Sequence, residues 1–294
     1  MNVVVLGNAG SWYVADLERA ARDRGDRCER WEFTRLATEV ATGSESIRHE
    51  ASALEGVDSV IVRTMPPGSL EQVVFRMNLL ARAERLGATV INSARAIECA
   101  VDKHLTTARL QEGGLPVPET FVCETADDAL AALERLGGDV VVKPLFGAEG
   151  RGIVRVSDPD LGLRVFRAIE RTGGVLYLQR FVPHEGYDVR VLVLDGEVLG
   201  GMTRRSASDF RTNVARDARA EPHEPTDVER DFSLRAAAAT GARFAGIDLL
   251  YDRDGRLYVI EVNGVPGWRA FGRVSGMDVA ARLLDAVARD RAEW

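Results

Sequence analysis

Three oxygen-bearing side chains near the end of the chain are spaced to meet on one face of a hairpin. Asp248 stands in the run Ala245-Gly-Ile-Asp-Leu-Leu-Tyr251, and Glu261 and Asn263 stand in Arg256-Leu-Tyr-Val-Ile-Glu-Val-Asn-Gly264. Asp254-Gly255 between them favours a two-residue type I′ turn. That turn sets Arg253 opposite Arg256, Tyr251 opposite Tyr258 and Asp248 opposite Glu261. Asn263 lies two residues beyond Glu261 and so on the same face, with Gly246 opposite it leaving room. Leu249, Tyr251, Tyr258, Ile260 and Val262 then form the core face. Facing carboxylates repel, and a bound cation removes that cost. Oxygen donors without sulfur or imidazole suit Mg²⁺ or Mn²⁺. The alternative is a solvated acidic face; the rigid Gly264-Val-Pro-Gly267 that follows favours the metal.

A second group of residues suits phosphate. Asp139-Val-Val-Val-Lys143-Pro144 is a strand ending in a lysine, and Leu145-Phe-Gly-Ala-Glu-Gly-Arg-Gly152 follows it. Backbone N–H groups of such a loop approach phosphate oxygens closely, and a lysine supplies a point charge. A plain flexible turn is the other reading of the loop. Between residues 204 and 219, Arg204, Arg205, Arg211, Arg216 and Arg219 face only Asp209 and Asp217. Arg204, Arg205 and Arg211 flank Phe210 and Thr212-Asn213, a composition suited to an anion pocket. Arg216 and Arg219 read as surface charge.

Elements that position these residues follow from hydrophobic periodicity and breakers. Asn2 to Leu6 is a short strand ending at Gly7-Asn-Ala-Gly10, and a helix follows to Gly25. This GxxG lacks the full dinucleotide fingerprint. Asp58 to Val62 and Ala88 to Ile91 are further strands, with an amphipathic helix from Leu70 to Leu86 between them. Alternating strands and helices predict a parallel sheet covered on both faces. The first unit ends near Asn92-Ser93. A helix containing Asp102-Lys103 then stops at Gly113-Gly114. Strands follow at Thr120 to Cys123 and Asp139 to Lys143, around a helix from Ala126 to Leu136. Tyr177 to Val182 is a strand, and Asp188 to Leu194 pairs with Glu197 to Met202 through Asp195-Gly196. Helices at Asp227 to Thr240 and Asp278 to Arg291 flank the first hairpin.

A chain of 294 residues holds two or three compact units. Its net charge of −7 argues against a nucleic-acid binder. The 3 cysteines, Cys28, Cys99 and Cys123, form no CxxC and fit a reducing cytoplasm. His49, His104, His184 and His223 are scattered. No signal peptide and no membrane-spanning run is evident.

Taken together, the motifs resemble the ATP-grasp superfamily and, within it, the RimK-type α-L-glutamate ligases. The matching stretches are Asp102-Lys103, Gly114-Leu-Pro-Val-Pro118, Val142-Lys143-Pro144 with Gly147-Ala-Glu-Gly150, Gly186-Tyr-Asp188-Val-Arg190, Phe210-Arg211-Thr-Asn213, Asp248, Glu261-Val-Asn263 and Pro266-Gly267. The resemblance implies an α/β fold with α+β character in its C-terminal half. A Rossmann-like domain would span 1–94, a central ATP-grasp subdomain 95–178, and a C-terminal metal-bearing subdomain 179–294. It implies that Lys103 and Lys143 contact nucleotide phosphates beneath Gly147 and Gly150. Gln179, Arg180, Phe181 and Val182 would line the adenine hinge. Asp188 would lie near the ribose, Arg211, Thr212 and Asn213 near the triphosphate, and Asp248, Glu261 and Asn263 would bind two Mg²⁺ (or Mn²⁺) ions. Arg180 departs from the glutamate usual in the family.

The activity implied is ATP-dependent amide formation through an acyl phosphate, with Arg190 and Arg211 on its oxygens and L-glutamate as the amine. The acceptor carboxylate is a protein tail, a small acid or a pterin-type cofactor such as tetrahydromethanopterin. Arg204, Arg205, Trp268 and Arg269 are the substrate-facing candidates; Trp268 and Phe271 equally suit packing under the closing helix. A homodimer or homotetramer fits the family, as does a cytoplasmic location with no membrane partner. A non-catalytic nucleotide-binding module and a nicotinamide-dependent oxidoreductase are the competing classes. The intact Asp248, Glu261 and Asn263 set speaks against the first, and the missing GxGxxG against the second.

Overall fold

The computed structural model describes residues 1–147, 151–205 and 219–292. It begins with β1 (Asn2–Leu6), α1 (Trp12–Arg24) and β2 (Arg27–Trp31). An antiparallel insertion follows, built of β3 (Leu36–Ala41), β4 (Ser44–His49) and β5 (Ser52–Ala53). Then come β6 (Ser59–Val62), α2 (Leu70–Arg85) and β7 (Thr89–Ile91). The strands β2-β1-β6-β7 form a parallel sheet, as expected for β1, β6 and β7, with β2 added at its edge. Leu70 to Arg85 is helical because Ser69 and Gln72 close a capping box at its start. The insertion packs through Ile47 and Leu54, His49 stacks on Trp31, and Glu45 accepts from Arg82 and Arg85 of α2.

Helices α3 (Ala94–Val101) and α4 (Lys103–Glu112) lead into the second part. Asp102 is the N-cap of α4, accepting from His104 N (2.8 Å) and Leu105 N (3.0 Å), which makes Lys103 the first residue of that helix. β8 (Thr120–Cys123), α5 (Ala126–Arg135), β9 (Val140–Lys143), β10 (Val154–Val156), α6 (Pro159–Arg171) and β11 (Leu176–Arg180) form one layer pair. The sheet is antiparallel in the order β10-β9-β11-β8, and its core lies against α5 and α6.

The last part holds β12 (Tyr187–Leu194), β13 (Glu197–Arg205), β14 (Arg219–His223), α7 (Asp227–Thr240), β15 (Phe244–Tyr251), β16 (Leu257–Asn263), α8 (Arg269–Ser275) and α9 (Val279–Ala292). Its sheet runs β14-β13-β12-β15-β16, all antiparallel. One face, with Val189, Val191, Val193, Ile247 and Leu249, packs under α7, and Leu110 and Leu115 from the α4 region join that core. The other face is divided. Leu192, Leu194 and Phe244 enter a core shared with α1, α8, α9 and the first sheet. Further along, the same face carries Asp188, Arg190, Gly246 and Asp248 instead. No helix among the described residues is long and apolar enough to cross a membrane.

Asn92, 1% exposed, joins the first part to the last. Its Nδ2 donates to Phe244 O (2.6 Å) and to Gly264 O, and its Oδ1 accepts from Phe244 N (2.9 Å). Asn92→Ala leaves three buried backbone groups unpaired, and a loss of roughly 3 kcal/mol in urea denaturation is expected.

Candidate active site

The hairpin β15–β16 brings the three oxygen donors together as the spacing implies, by a different route. Asp248 pairs with Glu261 and Gly246 with Asn263. The turn is not type I′. Asp252 Oδ1 accepts from Asp254 N (3.0 Å) and Arg256 N (2.8 Å), which stabilises a three-residue loop with only Gly255 left-handed (φ 81°). Tyr251 therefore faces Leu257, and Leu250 faces Tyr258. A β-bulge then adds Ile260 to β16 and restores the pairing at Asp248. As a result Val259, not Ile260, joins Leu249 in the core, and Tyr258 turns to the site face.

Asp248 is 3% exposed and does not depend on a cation to sit beside Glu261. Arg190, opposite it on β12, donates from Nε (2.6 Å) and Nη2 (2.7 Å), and Arg204 Nη2 lies 3.1 Å away. Burial pushes the Asp248 carboxyl up, but the charges and hydrogen bonds of Arg190 and Arg204 outweigh it and hold it down at about 2. Arg204 also binds Asp188, Nε to Oδ1 at 2.7 Å, so both residues are interior members of one ion-pair chain. Asp188 is thus engaged by Arg204, where a ribose contact was expected. Arg204 is not a surface residue awaiting substrate.

Glu261 is half-buried, with Lys103 Nζ 4.0 Å from its Oε1. Lys103 Nζ also donates to Gly147 O (2.9 Å), so the start of the glycine-rich loop sits over this lysine. Burial pushes the Lys143 ammonium down to about 8 against the pull of Glu261, and Lys103 adds to the fall. Lys143 Nζ donates to Gln179 Oε1 at 2.7 Å. A small cleft joins Lys103, Lys143, Tyr177, Ile260 and Glu261. Both lysines and the acidic face thus belong to one site.

Other candidates are distributed differently. The Gln179 side chain is buried and accepts from Lys143. Arg180 N and Phe181 N donate to Glu119 O (2.8 Å) and Asp139 O (2.9 Å), so this stretch offers a base its N–H groups only from Val182 onward. The Phe181 ring is covered by Arg155 at 3.5 Å, and the Arg180 side chain is exposed. Arg205 is exposed and donates to Glu185 O (3.2 Å). Gly150, Arg211, Thr212 and Asn213 lie outside the described residues.

Trp268 does not border the site. It is 1% exposed, donates from Nε1 to Asp16 Oδ2 (2.8 Å) and packs on Tyr13 and Phe244; Phe271 joins the same core. Arg269 is exposed, with its guanidinium 5.4 Å from the ring of Trp12, which opens α1. Sequence reasoning overlooked Trp12 and also Arg63. Arg63 lies against both the Tyr13 and Trp268 rings and donates to Pro266 O (2.8 Å). An arginine directly after a buried strand was the available signal.

Among the described residues no three His, Cys, Asp or Glu side chains gather for a metal. The donors here are two carboxylates and an amide, all hard oxygens on one strand pair, and they fit a small divalent ion completed by phosphate and water.

An antiparallel sheet carrying acidic donors, met by one lysine from a second sheet and another from the start of α4, has the layout of an ATP-grasp ligase. A model of the RimK-like ATP-grasp domain matches residues 100–287, and one of the RimK PreATP-grasp domain matches residues 1–97. The chain belongs to the RimK-like ATP-grasp family. It is 30% identical over 260 residues to the tetrahydromethanopterin:alpha-L-glutamate ligase of Methanosarcina acetivorans, covering 79% of this chain and 80% of that protein. With the enzyme of the same name from Methanococcus maripaludis it shares 37% over 219 residues, 73% of this chain and 74% of the other. A probable alpha-L-glutamate ligase of Citrobacter koseri is 29% identical, covering 98% of this chain and 96% of that one. The fold matches the ATP-grasp ligase PsnB complexed with minimal precursor at TM-score 0.78 and 24% identity, over 98% of this chain and 99% of that one. PsnB has also been solved with Mg and ADP. Fold and family together make the chain an ATP-using, ADP-forming ligase of carbon–nitrogen bonds.

Asp248 gives the site a pH signature. Its folded pKa lies below the unfolded one, so the ionised carboxylate stabilises the fold fully above the unfolded value, and that stability is lost as pH falls through the folded value. Asp248→Asn lacks this titration. Without divalent cations, the stability gap between wild type and Asp248→Asn should close by about 2 kcal/mol between about pH 5 and about pH 2 in urea denaturation.

Proposed function

We propose that the chain joins L-glutamate, through its amino group, to the carboxylate of a small acceptor bearing a planar ring, of the pterin type named for its archaeal relatives. The observation that carries the reading is the convergence of Asp248, Glu261 and Asn263 with Lys103 and Lys143. In this reading the three segments 1–94, 95–178 and 179–294 act as acceptor-facing, nucleotide-covering and metal-bearing parts. The cytoplasm supplies ATP and glutamate, and a dimer or tetramer is the expected assembly.

Lys103 and Lys143 bind the phosphates as point charges. The acceptor carboxylate attacks the γ-phosphorus in line, the bond to ADP breaks, and an acyl phosphate forms. The glutamate amine then attacks the acyl carbon, phosphate leaves with the bonding pair, and the amine proton passes to solvent. Two Mg²⁺ ions held by Asp248, Glu261 and Asn263 would supply charge neutralisation at the phosphate oxygens. Arg190 commits Nε and Nη2 to Asp248, and Nη1 is left for an acyl-phosphate oxygen. Arg211 is assigned to the same oxygens, and Thr212 and Asn213 to the triphosphate. The glycine-rich loop that starts at Gly147, whose carbonyl accepts from Lys103, is assigned to exclude water that would hydrolyse the intermediate, and Gly150 is assigned to the same loop.

The acceptor lies beyond Pro266-Gly267. Arg269 and Trp12 offer a cation and a flat indole there, while Arg205, also assigned to substrate, is an exposed cation beside Glu185 and Tyr187. A planar acid suits that surface better than a flexible tail does.

Incubation with ATP, Mg²⁺, L-glutamate and a metabolite extract, followed by mass spectrometry, should show a glutamylated small acid and glutamate-dependent ADP release. Products confined to peptides would sink the small-acceptor reading. Glu261→Gln should remain folded and lose roughly 100-fold in turnover, because a carboxylate that would hold the metal has lost its charge. Near-normal turnover would remove Glu261 from the metal site. Trp12→Ala with Arg269→Ala should raise the acceptor KM and leave ATP affinity unchanged.

A further inference from the structure

Beneath the two lysines lies a continuous hydrogen-bonded chain whose direction is set by chemistry. Lys143 Nζ only donates, so Gln179 must present Oε1 to it, as the 2.7 Å contact shows. The Gln179 amide nitrogen then points the other way, with its two hydrogens on Tyr177 OH (3.2 Å) and Thr120 Oγ1 (3.1 Å). Tyr177 OH passes its own hydrogen to Thr107 Oγ1 (2.8 Å), and Thr107 donates to Lys103 O (2.7 Å). Thr120 likewise donates to Pro118 O (2.8 Å). Each donor meets an acceptor in one arrangement only. The chain runs from the ammonium of one lysine to the backbone carbonyl of the other.

The elements make this pairing rigid. Gln179 and Tyr177 alternate onto one face of β11, Tyr177 is paired with Lys143 on β9, and Gln179 with Thr120 on β8. Both side chains are buried, Gln179 at 3% exposure and Tyr177 at 1%. Thr107 stands one turn along α4 from Lys103.

We propose that Gln179 and Tyr177 are positioning residues for phosphate binding: Gln179 aims the Lys143 ammonium, and the Tyr177–Thr107 hydroxyl pair ties that aim to the helix that begins with Lys103. One ammonium hydrogen is spent on Gln179, and two are left for phosphate oxygens. Neither residue touches nucleotide. The inference rests on the assignment of Lys143 to the phosphates.

The test is ATP affinity, measured by calorimetry with Mg²⁺ in a double-mutant cycle. Gln179→Met keeps length and removes the acceptor, and should weaken ATP about tenfold in the wild-type background, within the coupling expected of contacting residues. In a Lys143→Ala background the same substitution should change ATP affinity by less than about twofold, since there is no ammonium to aim. Gln179→Glu keeps an oxygen for Lys143 and should recover most of the loss. A role confined to supporting the sheet would give equal losses in both backgrounds and no recovery by glutamate, and either result overturns the inference. Should Gln179→Met fail to fold, Tyr177→Phe, which deletes one hydroxyl, carries the same cycle with a smaller expected loss of about threefold. If Lys143→Ala alone leaves ATP affinity unchanged, the phosphate assignment falls and takes this inference with it. If Lys143→Ala weakens ATP and neither Gln179→Met nor Tyr177→Phe does, only this inference falls.

Discussion

Asp248 carries a negative charge into a sheet face that is otherwise closing into a core, and two arginines reach it from neighbouring strands. Much of the site follows from that contact. A buried carboxylate without partners would be protonated or would unfold its surroundings. Arg190 meets it straight across β12–β15, and Arg204 meets it from β13 while also holding Asp188. The four side chains interlock only in this register, because a slip of one residue sends every second side chain to the opposite face. Along β12 the alternation that supplies Asp188 and Arg190 continues into Leu192 and Leu194, which α8 and α9 cover. One strand face therefore anchors the sheet at one end and holds the charges at the other.

The same contact changes the argument for metal. Two carboxylates facing each other suggest a cation, but Arg190, Arg204 and Lys103 already relieve their repulsion. What favours Mg²⁺ is the donor chemistry of Asp248, Glu261 and Asn263 and their place beside Lys143. Electrostatic relief is generic. Donor type and position are specific.

The fold was legible where periodicity and breakers were strong. Three strands of the parallel sheet, both C-terminal hairpins and the helices α1, α2, α5, α7 and α9 stand where the sequence puts them, whereas β2 and α6 were not read. The hairpin around Asp254-Gly255 was right at Asp248 for an incomplete reason: a longer turn shifts the register by one, and the bulge at Ile260 shifts it back. A side chain caused the first shift, since Asp252 binds backbone N–H groups that a two-residue turn would not offer it. The type I′ geometry occurs instead at Asp195-Gly196, where both residues have positive φ. The insertion at β3 to β5 was missed because its strands are mostly exposed, with little hydrophobic alternation to read. Trp268 was misplaced for another reason. Its partners Asp16, Tyr13 and Arg63 are more than two hundred residues away in sequence, and only tertiary packing brings them to it.

Those distant partners explain how a loop of glycine and proline can hold a metal-bearing strand steady. Gly264-Val-Pro-Gly267 has few side-chain atoms with which to fix itself. The first domain fixes it instead: Asn92 binds Gly264 O, Arg63 binds Pro266 O, and the Tyr13 hydroxyl lies so close to Gly267 that a Cβ there would stand 2.5 Å from it. Trp268 closes this grip by packing on Tyr13 and under Arg63. Asn92 also binds Phe244, so the entry to β15 and the exit from β16 are pinned by one side chain. The strands bearing Asp248, Glu261 and Asn263 are therefore clamped at the end away from their turn by residues that never reach the chemistry. The N-terminal domain, whose sequence carries no motif for catalysis, thereby contributes to the geometry of the catalytic face.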